Sequence, residues 1–93
     1  MPSEIKKFLF TKPKTVKSGS SIQLNVTVSV VGPPKVLKLE PSAGYTCDPE
    51  SRTYDTAGTQ DDSFFVTLTG DAGVCVLQGT LGASQDEDAA EVT

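Results

Sequence analysis

Three observations predict an all-β protein, a sandwich of two largely antiparallel sheets. The stretch from Gly19 to Val30 alternates almost without interruption, with Ile22, Leu24, Val26, Val28 and Val30 on one face and Gln23, Asn25, Thr27 and Ser29 on the other. Side chains alternate sides along a strand, so this one has a dry face and a wet face. That is the pattern of antiparallel sheet packed on one side, not of parallel sheet buried on both. Glycine and proline then break the chain into about seven such short runs, the rhythm of a sandwich. No long segment carries a helical period, and no internal repeat or low-complexity tract is present. Ninety-three residues make one domain, 1–93, with enough chain for a single core.

In order, Phe8-Leu-Phe10 forms a first strand ended by Lys12-Pro-Lys14, and Thr15-Val16-Lys17 pairs briefly before a turn at Ser18-Gly19. The long strand from about Ser21 to Val31 stops at Gly32-Pro33-Pro34, because proline cannot donate to a ladder. Lys35 to Glu40 follows with Leu37 and Leu39 inward. A looser stretch from Pro41 to about Asp62 holds a short edge strand at Arg52–Asp55. Ser63 to Thr69 alternates again, placing Phe64, Val66 and Leu68 together. The turn Gly70-Asp-Ala-Gly73 leads to Val74–Leu81, and Ala89 to Thr93 closes the chain on a short strand, as expected of a module excised from a longer protein.

Composition excludes more than it assigns. Without histidine there is no Ser-His-Asp triad, no Cys-His dyad and no His-containing metal site, and no other nucleophile–base arrangement stands out. The expected protein is therefore not an enzyme and needs no cofactor. Seven of the eight basic residues lie in the first 38 positions against Glu4 alone, a balance of +6. The rest sets Arg52 against eleven carboxylates, a balance of −10. Two solvated faces of opposite sign explain this, with head-to-tail packing or electrostatic choice of partner as the alternative. A net charge of −4 without an Arg cluster argues against nucleic acid. No apolar run approaches the roughly 20 residues of a membrane span, so no membrane insertion is expected. Met1–Phe10 lacks the apolar core and cleavage site of a signal peptide, so an exported protein would take its leader from outside this chain.

The segment Leu68-Thr-Gly-Asp-Ala-Gly-Val-Cys-Val-Leu77 resembles the E–F corner and F strand of immunoglobulin-like domains. Asp71-Ala72-Gly73 match that corner, Cys75 occupies the tyrosine-corner position and Leu77 the position of the inter-sheet cysteine. Upstream, Gly19-x-x-Ile22-x-Leu24-x-Val26 resembles the B strand, with Val26 at the partner cysteine's place, and Leu37 lies where the family buries a tryptophan. The Thr- and Val-rich texture is closest to Ig-like modules of bacterial secreted and surface proteins. The resemblance implies an extracellular spacer, adhesion or partner-binding domain beside other domains of its parent chain. It also places the end of strand C and the start of strand F at one pole, which would bring Cys47 and Cys75 into a disulfide. Two unrelated buried thiols are the alternative.

Three further groups stand out. Tyr45, Tyr54 and Phe65 would, if clustered on the surface, bind carbohydrate or protein, which gives the rival reading of an accessory domain of a secreted hydrolase. Asp55, Asp61, Asp62 and Asp71 lie in or beside loops, and Asp86, Glu87 and Asp88 precede the last strand. They read as solvated acidic loops, with calcium as the alternative. Asn25-Val-Thr27 is a glycosylation sequon on a wet strand face. A third reading is an intracellular or phage structural module, in which both cysteines would be free.

Overall fold

A computed structural model describes residues 2–93 and is all-β, with nine strands rather than about seven. These are β1 (Glu4–Phe10), β2 (Thr15–Val16), β3 (Ser20–Val30), β4 (Lys35–Pro41), β5 (Tyr45–Asp48), β6 (Ser51–Tyr54), β7 (Gly58–Gly70), β8 (Gly73–Leu81) and β9 (Ser84–Val92). One sheet has the order β1-β3-β7-β5 and the other β2-β9-β8-β4-β6. All pairings are antiparallel except β2 with β9.

The extra strands arise because two stretches of chain each serve both sheets. The first runs through β1 beside β3, breaks at Lys12-Pro13, and continues as β2 beside β9. The second runs through β5 beside the last residues of β7, breaks at Pro49-Glu50, and continues as β6 beside β4. Proline suits each break, having no N–H to offer a ladder. Each flank of the sandwich is thus crossed by one diagonal strand that changes sheets, as strands do at the corners of packed sheets.

Ile22, Leu24, Val26, Val28 and Val30 of β3 face Leu37, Leu39, Cys75, Leu77 and Leu81 of the opposing sheet, all buried. Phe8 and Phe10 enter from β1, and Phe64, Val66 and Leu68 from β7. Gly79 has no room for a side chain: a Cβ there would lie 2.5 Å from the ring of buried Phe8. The β8–β9 hairpin turns on Gly82-Ala83, with Gly82 at φ 61°, the positive first position that a two-residue turn of type II′ requires.

The outer face of the first sheet is laced by its own polar side chains. The Asn25 amide donates to Thr11 and accepts from Ser63, Thr27 donates to Asp61, and the Ser21 and Thr67 hydroxyls meet at 2.9 Å. Ser3 and Val31 hold each other at one end of β3, while Ser18 donates to the Thr93 carbonyl at the other. The N-terminal and C-terminal segments therefore leave from opposite poles of a body 40 Å long and 22 by 16 Å across.

Candidate functional site

The densest polar cluster joins the two sheets on the β5–β6 flank. Arg52 and Tyr54 sit two residues apart on β6, so both project the same way, and both reach Asp62 of β7. The Arg52 guanidinium grips the carboxylate with two bonds, of 2.6 and 3.1 Å, and the Tyr54 hydroxyl donates to it at 2.9 Å. Arg52 also lies 4.6 Å from the centre of the Phe64 ring, a cation–π contact. Burial alone would raise the pKa of Asp62, but the hydrogen bonds from Arg52 and Tyr54 outweigh it and hold the carboxyl below its usual range. Burial, reinforced by the bond to Asp62, drives the Tyr54 phenol strongly upward, so it stays protonated and donating. The cluster ties β6 to a strand it does not pair with. It borders a groove of about 390 Å³ lined by Pro49, Arg52, Tyr54, Gln60 and Asp61.

A second cluster ties the other flank. Asp88 of β9 accepts the Phe10 backbone N–H at 2.8 Å and the Lys14 ammonium at 3.0 Å. Burial is again outweighed by these donors, and the carboxyl is held low. Ser84 accepts the Ile5 N–H at 2.9 Å. Part of the charge asymmetry between the two ends of the sequence is therefore spent inside the molecule, where the basic first diagonal lies along the acidic last strand.

The expected Cys47–Cys75 disulfide is not formed; both thiols are free and buried. Sequence reasoning placed Cys47 just past the strand beside Cys75, but the chain crosses to the other sheet at Ser42–Gly44 before reaching it. Cys47 projects from β5 and donates to the Leu39 carbonyl at 3.7 Å, while Cys75 projects from β8 of the facing sheet. The two thiols stand on opposite sheets and do not meet. Burial, helped by Glu50, pushes the Cys47 thiol up to about 11. Burial also raises Cys75, against hydrogen bonding with Ser42. Neither is an activated nucleophile at neutral pH.

The three aromatics do not share a surface. Tyr54 is buried at 5% exposure inside the Asp62 cluster. Tyr45 is half-buried against the core at the pole where Gly70 and Gly73 turn. Phe65 alone stands out, 65% exposed on the outer face of β7. The acidic stretches also move: β7 begins at Gly58 and β9 at Ser84, so Asp61, Asp62 and Asp86–Asp88 are strand residues, not loop residues. Asp86 and Asp88 alternate with Glu87 across the strand, and among the described residues no three His, Cys, Asp or Glu side chains converge as a metal site would need. The Asn25 amide of the sequon is engaged on both its nitrogen and its oxygen.

Sequence reasoning missed the Arg52–Tyr54–Asp62 cluster. Its only signal was the spacing of Arg52 and Tyr54 on one short strand, opposite an acid at an inward position of β7. No protein-family model matches the chain, and no curated protein matches it.

Proposed function

We propose that the protein is a non-enzymatic immunoglobulin-like spacer module, setting the distance between what lies at its two ends. The observation that carries this reading is polar: the chain enters beside Ser3 at one end of β3 and leaves beside Thr93 at the other. Each module would add about 40 Å to an extended array. The Ig-like assignment draws support from the strand order. β1-β3-β7-β5 follows the A-B-E-D order of such domains, and β9-β8-β4 the G-F-C order. One departure is that β5, in the D position, precedes β6, which lies beside strand C.

A surface or secreted bacterial location is proposed on the Thr- and Val-rich strands alone. The free thiols favour a second reading in one respect, the same spacer role inside a cell or a phage particle. The test is small-angle scattering on two copies joined by a short linker. A spacer gives a longest dimension near twice the 40 Å of one copy; a pair folded side by side would sink the proposal. Antibody detection on intact cells and in the culture medium, against the lysate, separates the two locations.

A further inference from the structure

We propose that the open edge of β7, from Gly58 to Val66, receives an extended antiparallel segment of a partner protein that carries an apolar residue and, four positions later, a lysine or arginine. β7 pairs along β3 through eleven consecutive residues without a bulge, from Gly58 to Leu68. On its other side β5 covers only Thr67 to Gly70, because the chain leaves for the second sheet after Asp48. Below that point β6 reaches β7 through the Arg52 and Tyr54 side chains and forms no ladder with it. Alternate backbone groups of nine residues thus face outward, in the place that β5 would have filled had it run on.

The opposite edge of the same sheet is treated differently. β1 carries a bulge at Lys6, two adjacent lysines, and N–H groups of Ile5 and Phe10 capped by Ser84 and Asp88. These are devices by which proteins close an edge to further pairing. The β7 edge lacks proline, lysine and bulge, and its one inward charge, Asp62, is neutralised by Arg52.

The side chains specify the occupant. A strand continuing in line with β5 would set successive outer-face residues opposite Phe65, Ser63 and Asp61. Phe65 is uncovered, and Asp61 accepts only the Thr27 hydroxyl and has no cationic partner among the described residues. Residues 45–66 carry five carboxylates against Arg52 alone. An apolar residue opposite Phe65 and a cation opposite Asp61 would complete both cross-strand pairs. A second copy of this chain fits poorly. A two-fold pairing of β7 with itself about Asp61 opposes like charges, and one about Ser63 opposes Asp61 to Phe65.

The probe is the capped heptapeptide Thr-Ile-Thr-Ser-Thr-Lys-Thr, added to isotope-labelled protein with amide exchange as the readout. Alternate amides between Gln60 and Val66 should gain protection, those of β1 should not, and Phe65→Ala should weaken the effect. Asp61→Lys should weaken binding of this peptide about fivefold or more and restore it for the counterpart with Glu in place of Lys. Both variants alter exposed side chains, and an unchanged spectrum elsewhere confirms their fold. No protection at about 1 mM peptide, or protection that ignores the charge exchange, would overturn the proposal. So would a dimer in sedimentation whose β7 amides are protected without peptide.

Discussion

At Gly79 a single hydrogen atom decides whether the sheets can close. The nearest Phe8 carbon lies 2.5 Å from where a Cβ would stand, and Phe8 is fully buried, so its ring has nowhere to retreat. Gly79→Ala should cost about 1–3 kcal/mol in denaturant unfolding, as overpacked cores do, and Phe8→Leu should recover part of it. The thiols give a second residue-level expectation. Protein purified without reductant should release two reactive thiols on denaturation and react slowly while native, because both are buried and Cys47 titrates near 11. Asp62 and Asp88 give a third. Both carboxyls are held below their ordinary values in the folded protein. Their stabilisation is therefore complete above about pH 4, the unfolded value, and is lost as pH falls through the folded ones. A melting series in acid should be flatter for Asp62→Asn. At neutral pH Asp62→Ala should cost about 1–3 kcal/mol by leaving the buried Tyr54 hydroxyl unpaired.

At the scale of elements, strands whose inward positions are aliphatic were legible, and strands with polar inward positions were not. β3 matches its expected span to within a residue because five inward Ile, Leu and Val side chains announce it. β7 was foreseen only from Ser63, since its earlier inward positions are Gln60, whose amide donates to the Thr56 carbonyl, and Asp62, which meets Arg52 and Tyr54 instead of the core. β9 was foreseen only from Ala89, because Asp88 is spent on Phe10 and Lys14. β5 turns only half-buried Tyr45 and buried Cys47 inward, too short a run to announce a period. The same cause hid the candidate site, whose members are partners only across the gap between sheets. Val26 and Leu77, expected to face inward from opposing sheets, are both buried. Leu77→Ala should cost about 2–5 kcal/mol; a loss under half of one would mean that β8 is out of register.

For the molecule as a whole, pulling on the two termini would draw the poles apart. The ladder between the first and last parts of the chain is the parallel pairing of β2 with β9, including Glu91 N–H to the Lys14 carbonyl and Thr93 N–H to the Val16 carbonyl, both under 3 Å. Tension loads these bonds side by side, so they must fail together. Val16→Ala, which removes about 1.5 kcal/mol of buried hydrocarbon at that ladder, should lower the unfolding force in single-molecule extension. A variant truncated elsewhere in the core, such as Val28→Ala, should lower it less. The diagonal strands bear on how such a chain can change over generations. A hairpin tip such as Gly82-Ala83 is free to lengthen, since extra residues there only enlarge a loop at one pole. Residues 11–14 and 49–50 are different, for each spans a fixed gap between ladders already in register on both sides. One residue added there would turn half a diagonal inside out. Insertions accepted at the tips and refused at the two prolines are the pattern that relatives of this chain should show.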